Sequence, residues 1–294
     1  MSRNNIFNIS FFSLISLVLS QYSIRTLTEF LSMKPERLSN LLGRSYSALL
    51  KIRKDILSSR CPPPTQGLEA YMSSLQRENE ISSGCGRLDQ LVGSLQAGQV
   101  YEVFGCPATG KTQLCLTAVA EGLVAGGKVN YIDTKGDFSL QRLQQILSAR
   151  GGSESRLLEN VILHRAQTET ELLETVTNLE GEKEDLQLVV VDNITLPLLK
   201  VTTEDNVRRG MYVGCVLGHL FQKIALSKAA VVLLVSNLKP GTETGVALGT
   251  LWELTANVRI LLEIEDLSSW KASVMRGGAR QSTTFTIDNK GVSD

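Results

Sequence analysis

The alternation of apolar and polar positions changes character at about residue 81 of the 294-residue chain. From there to about residue 235, runs of apolar residues alternate with segments of helical period. Strands that are apolar on both faces and separated by helices indicate an α/β fold, with a mostly parallel sheet between helices. The predicted strands are 100–104, 128–133, 161–164, 188–192 and 231–235, and the predicted helices are 113–125, 140–149, 169–179 and 211–227.

The two ends of the chain depart from this rhythm. Three β-type segments near the C-terminus, 259–264, 272–275 and 283–288, follow one another without helices, which predicts a meander or hairpin at one edge of the sheet. The first 60 residues instead carry short segments of helical period, which predicts a small all-helical N-terminal domain. These segments are 24–31, 35–42 and 47–59.

The turn between the second and third N-terminal segments suggests a helix–hairpin–helix module. Gly43 can end the first helix, Ser45 can cap the second, and that second helix carries Lys51, Arg53 and Lys54. Such a module can offer backbone N–H groups to a phosphate. A helical protein-interaction domain with a solvated basic face has the same pattern, so both interpretations stay open.

A run of three prolines at 62–64 favours extended backbone and ends the helical region. The chain is therefore predicted to consist of a helical N-terminal domain at 1–60, a proline-rich linker at 61–80 and an α/β core at 81–294. An apolar stretch at 6–19, behind Arg3, fits either a signal peptide or the first helix of the N-terminal domain. Because this stretch is short and rich in serine, we expect no membrane contact.

Charge and cysteine content argue against a globally basic nucleic-acid-binding protein and against a disulfide scaffold. The 30 Lys and Arg residues balance the 30 Asp and Glu residues, so no global positive field indicates nucleic acid, and any DNA contact must come from local patches. The five cysteines are odd in number and have no metal-type spacing. This usage favours a reducing compartment over a disulfide scaffold.

The segment from 105 to 112 carries the strongest chemical signal. Its residues match G-x-x-x-x-G-K-[ST] at every fixed position, between a predicted strand and a predicted helix. In this motif, backbone N–H groups curl around a polyphosphate at the start of a helix; Lys111 would reach its β- and γ-phosphates, and Thr112 would ligate Mg²⁺. A glycine-rich turn that carries this pattern by chance is the alternative. The predicted nucleotide-binding residues are Gly105, Cys106, Pro107, Ala108, Thr109, Gly110, Lys111, Thr112 and Gln113, with Asp192 and Asn237 at later strand ends.

Those later strand ends matter because ligands gather at the carboxyl ends of strands in open α/β sheets. Asp192 has the position of a Walker B carboxylate, which holds Mg²⁺ through water, although a strand-terminal aspartate can simply cap a turn. Ser236 and Asn237 follow the next apolar strand, where they could sense the γ-phosphate or form a turn.

Lys135 follows the strand whose end should carry a catalytic carboxylate. A hydrolytic enzyme needs an acidic group there to orient the attacking water, and a protonated lysine cannot act as that base. Asp133 and Asp137 flank the lysine and either could substitute, although alternation along the strand points Asp133 elsewhere. The sequence predicts that hydrolysis is slow or absent while nucleotide binding is retained.

Longer segments around these residues resemble one family. The sequence GCPATGKTQLC at 105–115 closely resembles the phosphate loop of eukaryotic RecA-like strand-exchange recombinases, and CGRLDQL at 85–91 resembles the segment that opens their ATPase core. The segment ALGTLW at 247–252 and the segment TANVRILL at 255–262 look most like the D-type paralogue of that recombinase.

The resemblance implies a RecA-like P-loop ATPase core that uses ATP and Mg²⁺, with Thr112 and Asp192 at the metal. It also implies a nuclear protein of homologous-recombination DNA repair, whose partners are other recombinase paralogues in a hetero-oligomer. The family's catalytic glutamate falls at Lys135, and a glutamine of the strand-exchange enzymes falls at Leu238. These departures favour an accessory paralogue that assists recombinase loading on single-stranded DNA.

Two other functions remain as alternatives. One is a self-sufficient DNA-dependent ATPase that exchanges strands, and the other is a small-molecule P-loop enzyme such as a nucleotide kinase. The resemblance places one DNA loop after Asp192, with Arg208 and Arg209, and a second at 239–248, with Lys239. So few cations predict weak, salt-sensitive binding to single-stranded or branched DNA. Arg208 and Arg209 fit a solvated surface equally well.

Overall fold

The structure is a computed structural model. It describes residues 30–31, 33–60, 66–68, 80–152, 154–182, 186–200, 207–239, 241–242, 244–245, 247–249, 252–276 and 279–294. The apolar stretch at 6–19, most of the segment at 24–31 and most of the linker at 61–80 lie outside these ranges. The chain divides into two compact units, Met1–Met72 and Ser73–Asp294.

Two helices of the N-terminal unit are described, α1 (Pro35–Leu42) and α2 (Tyr46–Arg60). Gly43 ends α1 in the left-handed conformation, with φ 58°, which glycine adopts readily after a helix. The Ser45 hydroxyl accepts a hydrogen bond from the backbone N–H of Ala48 at 3.3 Å, which caps α2. Arg53 donates to the backbone carbonyls of Met33 and Leu31, so it holds the preceding chain and does not belong to a free basic face.

Among the described residues of the second unit, nine strands form one sheet in the order β11-β10-β9-β8-β3-β7-β6-β4-β5, and β1 pairs with β2 in a separate ribbon. The strands are β1 (Glu80–Ile81), β2 (Leu95–Gln96), β3 (Val100–Gly105), β4 (Val129–Asp133), β5 (Val161–Arg165), β6 (Leu188–Asp192), β7 (Val231–Asn237), β8 (Val258–Ile264), β9 (Trp270–Arg276), β10 (Ala279–Asp288) and β11 (Gly291–Ser293). The helices are α3 (Gly86–Val92), α4 (Lys111–Val124), α5 (Leu140–Ala149), α6 (Glu154–Leu158), α7 (Glu169–Gly181), α8 (Thr195–Leu199) and α9 (Val207–Lys228), with a 3₁₀ turn at Trp252–Leu254.

Strands β3 to β8 are parallel, and β9 to β11 complete one edge in antiparallel pairs. This confirms the predicted α/β class and the expected meander at a sheet edge. Helices cover both faces of the sheet. Side chains that point to opposite faces of one strand belong to two different apolar clusters, each of which includes a helix. Tyr101 packs in the cluster that contains Leu114 of α4, while Phe104 packs in the cluster that contains Phe221 of α9.

The sequence pattern missed the shortest elements and some boundaries. Strands β1 and β2 have two residues each and β11 has three, so they are too short to show a periodic pattern of apolar residues. Helix α9 begins at Val207, four residues before the predicted start. Strand β10 begins at Ala279, before the predicted start at residue 283. Its first residues are exposed and mostly polar, so they show no apolar alternation from which a strand could be predicted. In the described part of the chain, no helix has the length and apolar character that a membrane crossing requires.

Candidate functional site

The loop between β3 and α4 is shaped by glycines. Gly110 adopts φ 88°, and a β-carbon on it would lie 2.7 Å from Cδ1 of Ile287. A β-carbon on Gly105 would lie 2.3 Å from the backbone oxygen of Leu262. Both positions therefore need a residue without a side chain. Thr109 closes the loop by donating from its hydroxyl to the carbonyl of Cys106 at 2.9 Å.

Lys111 lies inside the curl of this loop. Its ammonium donates to the carbonyl of Gly105 at 2.9 Å and to the carbonyl of Cys106 at 2.5 Å, and the residue is buried. Burial lowers the pKa of Lys111 below its usual value, while the carboxylate of Asp192 opposes that shift. The same helix start leaves backbone N–H groups without helical acceptors. An anion placed here would meet a cation and free donors together.

Thr112 and Asp192 are brought together from positions 80 residues apart. The hydroxyl of Thr112 donates to Oδ2 of Asp192 at 2.6 Å, and the Tyr131 hydroxyl donates to the same oxygen at 3.2 Å. Asp192 is buried, and its other oxygen, Oδ1, has no hydrogen-bond partner. The Thr112 hydroxyl and the two carboxylate oxygens of Asp192 are hard oxygen donors of the kind that Mg²⁺ prefers. The residues present therefore fit this ion.

Lys135 contacts the same carboxylate from the other side. Its ammonium lies 3.2 Å from Oδ1 of Asp192 and 3.0 Å from Oδ2 of Asp137. This ion pair compensates the charge on Oδ1. Burial disfavours the charge of Lys135, but the two carboxylates outweigh that effect and raise its pKa. The side chain is therefore cationic at neutral pH.

Asp133 is committed to the backbone. Its carboxylate accepts the N–H groups of Lys135 at 3.0 Å, Gly136 at 2.8 Å and Phe138 at 3.2 Å, so it caps the turn after β4. Asp137 is half-exposed and pairs with Lys135. Neither flanking aspartate is an uncommitted base.

Asn237 belongs to a small polar cluster at the ends of β6 and β7. Its side-chain oxygen accepts a hydrogen bond from Asn193 Nδ2 at 2.8 Å, and its backbone N–H donates to the Thr195 hydroxyl at 2.9 Å. The Thr134 hydroxyl accepts from the backbone of Asn193 and donates to it, both at 2.7 Å. Sequence reasoning missed Asn193 and Thr195, because an Asx-type turn residue after a strand is too common to signal a site.

A cavity of about 560 Å³ opens beside the loop. It is lined by residues of the loop, by Lys135 and Asn237, and by Trp270 and Ile287 from β9 and β10. Among the described residues that line it, none carries a carboxylate. The Trp270 indole N–H is buried without a hydrogen-bond partner, and the ring stacks on Phe285 with centroids 6.3 Å apart. A flat apolar wall of this kind suits a planar ring.

The strand that carries the loop is anchored by a buried glutamate. Glu102 accepts hydrogen bonds from the Ser236 hydroxyl at 2.7 Å, from the Trp252 indole N–H at 2.8 Å and from Arg259 Nε at 2.8 Å. The Arg259 guanidinium also lies 4.5 Å from the centre of the Phe104 ring. Glu102 therefore ties β3 to β7, β8 and the 3₁₀ turn. The signal for it was one charged residue inside an apolar strand.

The described contacts do not bring the predicted DNA-binding residues together. Lys239 is exposed, and its backbone N–H donates to the carbonyl of Gly245 at 2.7 Å. Arg208 and Arg209 begin α9, but their side chains lie outside the described part of the structure.

Comparison with known proteins shows what the chain is similar to. Residues 76–233 match the protein family described as Rad51, over more than half of the chain. The chain is 27% identical over 288 residues to "DNA repair protein RAD51 homolog 4" of Bos taurus, which covers 90% of this chain and 87% of that protein. It is 26% identical over 326 residues to "DNA repair protein RAD51 homolog 2" of Mus musculus, with 93% and 92% covered. A shorter match, 49% identical over 72 residues, joins 24% of this chain to 31% of "DNA repair and recombination protein RadB" of Thermococcus onnurineus.

Proposed function

This chain belongs to the Rad51 family, and from that membership we propose that it is an ATP-binding recombinase paralogue in DNA repair and recombination. The names of its relatives, which describe DNA repair and recombination proteins, support this role. The observation that carries the nucleotide assignment is the 2.6 Å hydrogen bond from Thr112 to Asp192 beside the buried Lys111. That contact joins the two halves of a phosphate and metal site across the sheet.

The described residues suggest how ATP is held. Lys111 exchanges the carbonyls of Gly105 and Cys106 for phosphate oxygens, and the N–H groups at the start of α4 donate to the same anion. Thr112 and Asp192 hold Mg²⁺, which when bound neutralises charge on the triphosphate. Trp270 packs against the base, and the rest of the apolar wall keeps water from it.

Hydrolysis is slow at most in this proposal. The position at which the family resemblance expects a catalytic glutamate is Lys135, and Asp133 is committed to three backbone N–H groups. No uncommitted carboxylate stands among the described residues that line the cavity. A water molecule beside the terminal phosphate therefore lacks a base.

The larger assignments rest on the family. We propose that the chain is a D-type paralogue of the nucleus, that it works within a hetero-oligomer of recombinase paralogues, and that it assists recombinase loading on single-stranded DNA. The proposed organisation is a helical domain at 1–60, a linker at 61–80 and a RecA-like ATPase core at 81–294. Arg208, Arg209 and Lys239 are the proposed weak DNA contacts, and few cations make such binding salt-sensitive.

Two measurements test this function. The first follows ATP binding to the full purified chain and to Lys111→Ala, with Lys223→Ala as the control, because Lys223 forms an exposed ion pair with Glu180. We expect affinity to be lost only in Lys111→Ala, and retained affinity in that variant would refute the loop assignment.

The second measurement compares ATP turnover with and without single-stranded DNA, alongside the masses of the proteins that purify with the chain from its own cells. We expect little turnover and co-purifying recombinase paralogues. Robust DNA-stimulated hydrolysis by the chain alone would replace this proposal with a self-sufficient strand-exchange ATPase.

A further inference from the structure

The turn that contains Lys135 does not require its side chain to point inward. The turn after β4 is already held by Asp133, whose carboxylate accepts three backbone N–H groups. The Lys135 ammonium pairs with the half-exposed Asp137 at 3.0 Å, which a side chain out in solvent could also do. It also reaches inward to 3.2 Å from Oδ1 of the buried Asp192, and the side chain lines the cavity beside the loop.

The position matters because Asp192 is the carboxylate proposed to hold magnesium. One of its oxygens is taken by the Thr112 hydroxyl at 2.6 Å, and the ammonium of Lys135 faces the other. A divalent cation that approaches Oδ1 meets a positive charge already placed there, in a site where burial weakens screening. The lysine therefore opposes the metal at Asp192 while it attracts the triphosphate.

The charges at the site support the same conclusion. The ammonium groups of Lys111 and Lys135 balance the carboxylates of Asp192 and Asp137, so these four groups sum to zero. A glutamate at position 135 would make that sum two negative charges. A site without net negative charge accepts an uncomplexed nucleoside triphosphate more readily, whereas a negative site needs a metal to make binding favourable.

We propose that Lys135 is a resident counter-cation of the nucleotide site, which supplies at Asp192 the neutralising charge that magnesium would otherwise provide. This inference rests on the proposed nucleotide binding. Its consequence is that the chain binds magnesium-free ATP almost as well as ATP with magnesium. A subunit of this kind retains nucleotide as a structural ligand when metal is scarce.

The test measures the affinity of the full-length chain for a fluorescent ATP analogue, in excess Mg²⁺ and in a metal chelator. The readout is the ratio of the two dissociation constants, chelator over magnesium. We expect a wild-type ratio below about tenfold, and each unit of positive charge removed at position 135 should raise it by about tenfold. The ratio for Lys135→Gln should therefore be larger than the wild-type ratio, and the ratio for Lys135→Glu should be larger still.

Two variants control the series. Lys135→Arg keeps the charge and should keep the wild-type ratio, and Lys223→Gln removes a charge from an exposed pair with Glu180 and should leave the ratio unchanged. Thermal melting without nucleotide identifies any variant that does not fold. If none of the position-135 variants folds, the wild-type ratio alone decides, and tenfold or more contradicts the proposal.

The outcomes separate this inference from the proposed function. If wild type binds ATP and the ratio is the same in Lys135→Gln and Lys135→Glu as in wild type, Lys135 is only part of a surface ion pair with Asp137 and the inference is wrong. If wild type binds no ATP under either condition, the proposed function fails, and the inference fails with it.

Discussion

Ile287, in the long strand β10, sets the room available to Gly110 in the phosphate loop: a β-carbon on the glycine would lie 2.7 Å from the isoleucine Cδ1. Gly110 also has φ 88°, a conformation that other residues adopt only with strain. The loop and the C-terminal hairpin are therefore fitted to each other. The conformation of the loop is therefore fitted to a strand that begins almost 170 residues later in the chain.

Gly110→Ala is expected to weaken ATP binding by about tenfold, because either the Ile287 side chain or the loop must shift to relieve the contact. Gly126→Ala is the matched control: Gly126 has φ 85°, and a β-carbon on it would have no atom within 4 Å. Both variants carry the strain of a left-handed backbone, about 1–2 kcal/mol. Equal ATP affinity in the two variants would contradict the proposed role of close packing in the loop.

Trp270→Leu tests whether the apolar wall binds the base. Loss of the stacking surface should lower affinity for ATP by about fivefold, since aromatic pairs contribute about 1 kcal/mol beyond area burial. Affinity for inorganic triphosphate should stay within about twofold, because the phosphate loop is unchanged. Competition of both ligands against a fluorescent nucleotide measures this. An equal loss for the two ligands would mean that Trp270 acts on the loop and not on the base.

Glu102→Gln should destabilise the core strongly. The change leaves the half-buried Arg259 guanidinium without its buried charge partner, and breaking such a pair costs about 3–5 kcal/mol. Ser236→Ala removes only one neutral donor to the same carboxylate and should cost less, about 1.5–3 kcal/mol. Urea unfolding monitored by circular dichroism ranks the two. Similar midpoints for both variants would show that Arg259 finds sufficient compensation from Glu253, which lies 3.6 Å away.

Thiol alkylation should map the nucleotide site. Burial raises the pKa of Cys85 to about 11 and also raises the pKa of Cys115, so at pH 7.5 both remain protonated and react slowly. Of the four cysteines that the structure describes, Cys106 and Cys215 are exposed and should react before the other two. ATP should protect Cys106, which lies in the phosphate loop, and leave the rate at Cys215 unchanged. Peptide mass spectrometry follows both rates, and equal protection of the two thiols would indicate a global effect of ATP.

Much of the architecture could be read from periodicity. Helices α1 and α5 have the predicted bounds, and the apolar strands β6 and β7 lie where continuous apolar runs predicted them. Elements of two or three residues could not be predicted, because a period needs several residues to show. Neither could the pairing of β8 with β3, since strand order is decided by packing between distant segments.

By itself, the sequence determined the phosphate loop, because a strand, a glycine turn and a helix start are local structures that contiguous residues specify. It also determined the parallel sheet, since apolar runs have to be buried on both faces. Only the tertiary structure decided that Lys135 faces Asp192, that Trp270 closes the cavity and that Glu102 joins three strands. Those contacts join residues far apart in the chain, and the sheet order that brings them together is set by the packing of the whole core.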